Sequence, residues 1–423
     1  MVKPQRFFYG WVIVGIAIVS MTLIYGIRHS FSVFFPSILD EFGWSRGSTA
    51  FILSLNLLIY GWTAPIAGSL GDRWKPHRIM PMGVSILALA TVGCAFAQKL
   101  WHFYLLLGII APMGMALSGW PLIAPALANW FAKKRALVIG VVQMGSGFSF
   151  TYGLFAEFVI SQVGWRHAYF VLAGGLAAIV LPLYLFFFHF RPENKGMSAY
   201  GIEELPLGKD MTAEVVSNEN SHDWTLKQAM KTRQLWLLMF SYFLFWGIGT
   251  FLVLTHQVKF AEDVGYTSTF AASIFALYGI LLIAGTLSAG RCDLIGRELT
   301  VTLATILIIG ALIALVSVKD TSQPWLLYLY AICFGYGVGF YTPAVTAAAA
   351  DIFHGKHFGA IAGILLTGMG TGGVIGPWLG GYIHDITGSY FYAFVFSMVC
   401  FIISCIAIWI AAPRKTARLR AKA

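Results

Sequence analysis

Twelve apolar runs, each long enough to cross a bilayer, recur along this chain, and no other feature narrows its possible folds so far. A helix rises 1.5 Å per residue, so roughly 20 apolar residues span a hydrocarbon core of about 30 Å. The runs lie near 10–36, 47–70, 78–98, 101–125, 136–161, 167–190, 234–257, 268–289, 299–318, 325–350, 358–383 and 390–412. Hydrophobic residues make up 58% of the 423 and charged residues only 11%, where soluble domains carry about 25% charged. The expected fold class is an all-α membrane protein of twelve transmembrane helices. The first run is too long for the apolar core of a signal peptide, and no small-residue cleavage site follows it, so it is expected to stay as the first span.

The net charge of +10 does not point to nucleic acid, because of where the charges sit. Basic residues gather in KPQR, DRWKPHR, AKKRA, the stretch from Arg191 to Arg233, and PRKTARLRAK. On a twelve-span topology about 22 of the 28 Lys and Arg fall on one side, the bias that marks the cytoplasmic face, and both termini are expected there. Four of the five cysteines (Cys94, Cys333, Cys400, Cys405) fall inside apolar runs and Cys292 in a loop. That distribution predicts neither a disulfide framework nor a metal cluster.

Residues 191–233 interrupt the pattern with polar, mixed-charge sequence and are expected to form a cytoplasmic linker, with a short helix near Trp224–Met230. The linker divides the chain into six-span bundles at 1–190 and 234–412, followed by a basic tail at 413–423. The halves resemble each other. GSLGDRWKPHR after the second run answers to AGRCDLIGRE after the eighth, ALANWFAKKRALVIG to AAADIFHGKHFGAIAG, and VGWRHAYF to TGSYFYAF. Repeats in the same order are the mark of a duplicated transporter bundle with its site near the midplane.

The first run holds Arg28 and His29 side by side, together with a polar stripe at Thr22, Tyr25, His29, Ser32 and Pro36. Steps of three and four put the stripe on one helix face, and Arg28 about 100° round from His29. A charge at this depth costs roughly 2.5–3.5 kcal/mol on insertion scales, so such residues face a bundle interior or a cavity. The competing explanation is that Arg28 snorkels to the surface and His29 only packs. Glu157, the one acidic residue well inside a run, suits a proton relay or a pairing with Arg28; an interfacial Glu in contact with water is the alternative.

GSLGDRWKPHR is similar to the loop 2–3 signature of the major facilitator superfamily, matching it at Gly68, Asp72, Arg73 and Arg78. The second copy keeps Asp293, Gly296 and Arg297, with Ala289 in place of the first glycine. FYGWVIV, YGIRHSFSVFFPSILDEFGWSR, NWFAKKRALVIG, GWRHAYF and HDITGSYFYAF resemble the bacterial monocarboxylate transporter and oxalate:formate antiporter branch, over the whole length. The resemblance implies two pseudo-symmetric six-helix halves that rock about a central site. In that family a lysine of the first helix serves substrate and proton, and His29 takes its place here. Some members also carry an Arg in span 8 or a Lys in span 11, and neither is present. His256 matches a histidine common at the end of span 7.

With no charge in spans 8 and 11, the C-terminal half must offer neutral groups. Candidates are Tyr242, Trp246 and Thr250, then Tyr278, Tyr336, Tyr341, Thr367 and Thr371. In the N-terminal half Asn56 and Tyr60 form an i, i+4 pair, joined as candidates by Ser118, Trp120, Gln143 and Tyr152. Aromatic residues in a membrane bundle are more often packing or interface belt than ligands. Asp72, Arg73, Asp293 and Arg297 are expected to gate the change between states.

One permanent and one conditional cation suit a monoanion better than a dianion. The expected function is therefore a secondary transporter of small monocarboxylates (lactate, pyruvate, acetate or formate), coupled to protons through His29 or Glu157. An organic anion exchanger, or an exporter of another small solute, is the alternative. No cofactor, metal or nucleic acid is expected, and the bacterial cytoplasmic membrane is the expected location, with the monomer as working unit. The glycine runs precede no strand or phosphate-binding Lys, which argues against ATP-driven transport. A membrane enzyme would need a cluster of His, Asp or Glu at membrane depth, and the sequence offers none.

Overall fold

Inside hydrocarbon no water bonds a backbone N–H or C=O, so a spanning segment must satisfy its own polar groups, and helices do so. The computed structural model describes residues 8–73, 76–131, 135–201, 224–288, 295–353 and 358–411. The first helices are α1 (Gly10–Phe42), α2 (Arg46–Arg73), α3 (Pro76–Ala95) and α4 (Leu100–Trp130). The helix Arg135–Gly175 is interrupted at Gly164, whose φ of 79° and ψ of 161° suit only glycine. That residue separates α5 (135–163) from α6 (165–187). The second half comprises α7 (Arg233–Val264), α8 (Ser268–Ser288), α9 (Arg297–Val316), α10 (Trp325–Ile352), α11 (Phe358–Thr387) and α12 (Phe391–Ala411). Length and hydropathy alone delimit 11 long apolar helices, one of them 51 residues long; the break at Gly164 makes that one two spans and the total twelve.

Two details depart from expectation. Pro36 does not end the first span: α1 continues to Phe42 and stops at Gly43, whose positive φ of 64° lets its N–H reach the Leu39 carbonyl. The short helix of the linker is one turn, Leu226–Ala229, opened by a capping box of Thr225 and Gln228. Linker residues 202–223, Cys292 and the tail lie outside the described residues.

Each half has its own apolar core. The first gathers buried residues from Ile13 to Phe188, with Phe251 of α7 added; the second gathers residues from Ala229 to Ala411, with Val33 and Phe150 added. Leu89, Phe158, Phe186 and Ile306 point outward, as a lipid solvent favours. The GWRHAYF motif ties three helix ends of the first half. Arg166 donates to Ala95 O (2.9 Å), Ala97 O (3.0 Å) and Glu41 Oε1 (2.6 Å), and Trp165 Nε1 donates to Glu41 Oε2 (2.6 Å).

The halves meet along two seams. Between α2 and α11, a Cβ on Gly61 would lie 3.2 Å from the Gly370 Cα. Between α5 and α8, a Cβ on Gly279 would lie 2.5 Å from both the Gly147 carbonyl oxygen and the Phe150 Cβ. Small residues let backbones approach where lipid offers no hydrophobic drive between helices. Gly279→Val is therefore expected to destabilise the folded protein by about 1–3 kcal/mol, the usual range for overpacking. Gly310 of α9 has no atom within 4 Å of its would-be Cβ, so Gly310→Ala should not lower the midpoint. Thermal unfolding in detergent, followed by tryptophan fluorescence, separates the two.

Candidate functional site

Consecutive helical residues diverge by about 100°, and the neighbours of Arg28 and His29 differ accordingly. Arg28, 6% exposed, reaches between α2 and α4. Its Nε donates to Asn56 Oδ1 (2.7 Å), its Nη2 approaches Met115 Sδ (3.7 Å), and its guanidinium lies 4.4 Å from the centre of the Tyr60 ring and 5.6 Å from that of Tyr25. The Tyr25 and Tyr60 hydroxyls share a hydrogen bond of 2.5 Å, and Trp120 N–H donates to Tyr25 where α4 breaks at Gly119. Among the described residues no carboxylate lies within ion-pair distance of Arg28. A cavity of about 10 Å³, room for one water, adjoins it, walled by Ile27, Phe31, Leu53, Asn56, Leu107 and Met115 among others.

His29 turns to α5. Its Nδ1 pairs with Ser149 Oγ at 2.7 Å, and its ring stacks on Phe150 at 3.9 Å. Phe150 in turn packs on Phe275 and Tyr278 of α8, so His29 sits where the halves meet. Tyr152 lies on the same helix as Ser149, its ring against Gly26. Gln143, also on α5, is partly buried.

Glu157 is buried, at 6% exposure, but it does not pair with Arg28. The α5–α8 register, with Gly153 beside Phe275, carries Glu157 toward the start of α8, and the charged side chain acting on it is Glu262 of α7. Arg28 leaves α1 on another side.

Several candidates have their polar groups engaged elsewhere. Ser32 donates to the Leu254 carbonyl of α7 (2.8 Å) and so joins the halves. Ser118 Oγ returns to Gly114 O in its own helix, as Thr367 does to Ile364 O and Thr371 to Thr367 O. Tyr341 is a correction to the expected cavity lining. It is fully buried in the C-terminal core, bonded to Ser241 (2.5 Å) and Ser404 (2.7 Å) and stacked on Phe245. Tyr278 is also fully buried, with its hydroxyl unpartnered, and Thr250 likewise. Tyr242 bonds Thr346 (2.9 Å), Trp246 Nε1 donates to Thr342 Oγ1 (3.1 Å), and Tyr336 packs by Phe340. His256 is buried, its Nε2 on Pro377 O at 2.8 Å. Arg297 Nε donates to Asp351 Oδ2 (3.0 Å), a partner in its own half. Asp293 and the side chains of Asp72 and Arg73 lie outside the described residues.

Residues 14–333 and 257–423 match the Major Facilitator Superfamily. The chain belongs to that superfamily. Its relatives include rat monocarboxylate transporter 13, 23% identical over 405 residues and covering 93% of this chain and 86% of that one. Human monocarboxylate transporter 11 is 26% identical over 420 residues, covering 96% and 83%. The fold matches an inward-facing, unoccupied bacterial homologue of the human lysosomal transporter Spinster, with a TM-score of 0.68, 16% identity and coverage of 100% and 99%. The protein is a monocarboxylate-transporter-like facilitator, a multi-pass membrane transporter.

Sequence reasoning missed one constellation of this facilitator, at the end of the bundle away from the termini. The Asp385 carboxylate of α11 accepts from the backbone N–H groups of Arg46 (2.9 Å) and Gly47 (2.8 Å), which open α2. The Arg46 side chain pairs with Asp263 and donates to Tyr390 Oη (2.9 Å). Burial holds the Tyr390 phenol above its usual range, so it stays protonated. Lys259 lies 3.3 Å from Asp263 and 3.8 Å from Asp40. The sequence signal was faint: a few charges in short connecting segments, with partners more than 200 residues apart. These contacts clasp the two halves, and at this solvent-accessible end each contributes about 0.2–1 kcal/mol, so that their sum rather than any one of them holds the end shut. Arg46→Ala with Asp385→Ala is expected to open the far end, raising the labelling rate of a cysteine placed at Val33 by about tenfold or more. An unchanged rate would mean that the glycine seams alone hold that end shut.

Proposed function

We propose that this facilitator is a proton-coupled symporter of small monocarboxylates, of the lactate, pyruvate, acetate and formate type. The observation that carries the reading is Arg28: a buried guanidinium caged by Asn56, Met115, Tyr25 and Tyr60, with no acid in reach among the described residues. Burying an ion without a counter-charge costs several kcal/mol, and a substrate carboxylate supplies the missing charge as a bidentate partner. One such cation matches one carboxylate, which favours monoanions over oxalate. The names of the relatives agree in substrate class.

The coupling proton belongs to His29 or Glu157. An imidazole can take up and release a proton, and His29 stands at the meeting of the halves, next in sequence to the substrate cation. Glu157 has no hydrogen-bond partner among the described residues and faces the second half. Transport runs by rocking of the bundle 1–190 against 234–412, with 191–233 as linker and 413–423 as tail. Asp72, Arg73, Asp293 and Arg297 hold the opposite end during the cycle. The charge bias supports reading the clasped end as the outer face, with both termini inside; the proposed setting is a bacterial cytoplasmic membrane, with the monomer as transport unit.

The test is uptake of L-lactate into proteoliposomes with and without an inward proton gradient. Wild type should be stimulated by the gradient. Arg28→Ala should lose about 10- to 100-fold in uptake efficiency, the loss of charge-assisted hydrogen bonds. His29→Ala or Glu157→Gln should abolish the stimulation and leave exchange intact. Uptake indifferent to the gradient but driven by trapped internal anion would overturn symport in favour of exchange.

A further inference from the structure

We propose that Asn56 is a positioning residue that couples an irregular turn of α4 to Arg28 and thereby fixes which edge of the guanidinium meets the substrate. The inference rests on the reading of Arg28 as the carboxylate-binding cation. It starts in α4, where Tyr104–Ile110 is a π turn in which Ala111 N–H bonds the Leu106 carbonyl. The next residue, Pro112, has no N–H to give. The two backbone donors that reach the Leu107 carbonyl in an α or π pattern are residues 111 and 112. One is committed elsewhere and the other does not exist. The carbonyl is left facing α2 at a depth where water is scarce, and such orphans are costly.

Asn56 supplies the donor. Its Nδ2 gives a hydrogen bond to Leu107 O at 2.6 Å, and its Oδ1 accepts from Arg28 Nε at 2.7 Å. A carbonyl accepts only, and a guanidinium donates only. The two partners therefore set the amide's orientation without ambiguity, and a flipped amide would face both with the wrong group. Asn56 is 4% exposed and this bridge runs through the interior of the first half.

The consequence concerns Arg28. A guanidinium offers a carboxylate either a side edge, Nε with one Nη, or an end edge, both Nη atoms. With Nε held by Asn56, the side edge is occupied. The end edge is left, and among the described residues the one hydrogen-bond acceptor near it is the Met115 sulfur, 3.7 Å from Nη2, a weak acceptor that a carboxylate oxygen displaces. The Tyr60 ring face at 4.4 Å and the Asn56 bond thus fix the fork in both tilt and rotation. Asn56, which the sequence suggested as a substrate ligand, acts on substrate through Arg28.

The test measures thermal stabilisation in detergent by formate, acetate and L-lactate, and uptake kinetics in proteoliposomes, for Arg28→Ala, Arg28→Lys, Asn56→Leu, Pro112→Ala and the double variant Arg28→Lys with Asn56→Leu. Asn56→Leu should raise KM about tenfold, the worth of one charge-assisted hydrogen bond, with kcat within about twofold. Pro112→Ala, which restores a backbone donor beside Leu107 and keeps Asn56, should raise KM by a smaller factor of about two to five. In the Arg28→Lys background, which has no Nε–H, Asn56→Leu should have no further effect on KM; this coupling is one a merely structural role would not show. If Arg28→Ala binds the anions like wild type, or wild type gains no stability from any of them, the carboxylate reading falls and this inference with it. If Arg28→Ala loses binding while Asn56→Leu and Pro112→Ala keep the wild-type KM, only this inference falls. Equal effects of Asn56→Leu with Arg28 or Lys at position 28 overturn it as well.

Discussion

A guanidinium placed at membrane depth with no acid beside it among the described residues is the constraint from which the architecture of the first half follows. Arg28 must be kept charged, oriented and out of contact with lipid, and the surrounding helices supply neutral groups for each purpose. Two tyrosine rings give it π faces, one amide takes its Nε proton, and a thioether fills the remaining approach. None of these neutralises it. A polar cage that stabilises a cation without cancelling its charge is what an anion-binding site requires between turnovers.

The second half answers differently. Its helices α8 and α11 have no charged residue among their described central turns, and the polar groups of its α7, α10 and α12 largely satisfy one another: Tyr341 with Ser241 and Ser404, Tyr242 with Thr346, Trp246 with Thr342. The halves are thus unlike in chemistry although alike in topology. One carries the charge, and the other presents a neutral wall across the glycine seams. Movement between such bodies suits contacts made of small residues, where backbone slides against backbone without side chains that must be unthreaded.

Much of this was legible in the sequence. The apolar runs and the turn and charge signals between them imply twelve spans, because hydrocarbon thickness leaves few other solutions, and the duplicated motifs imply the halves. Arg28 stood out because a charge in an apolar run has few reasons to be there. The direction each polar side chain takes was less legible. Ser118, Thr367 and Thr371 read as candidate ligands yet return to carbonyls of their own helices, an option open to any hydroxyl in a helix. Tyr341 was indistinguishable by pattern from a cavity residue, since a buried network and a polar wall ask for the same residue types. The Glu157–Arg28 pairing failed because hydropathy places both residues at depth but carries no information about the rotation of one helix against another. The clasp escaped because Arg46 and Asp385 are 339 positions apart and each looks like an ordinary loop charge.

The cap that Asp385 places on the first turn of α2 has a consequence for how the resting state can be observed. The Arg46 and Gly47 amide protons are held by a carboxylate from the opposite half, so their isotope exchange with solvent is linked to the separation of the two halves, with no need for α2 to fray. In deuterium labelling, a peptide covering the start of α2 would act as a clock for the clasped end: its slow fraction measures how long the halves stay together, and a substrate that changes that fraction announces its binding without any probe being attached.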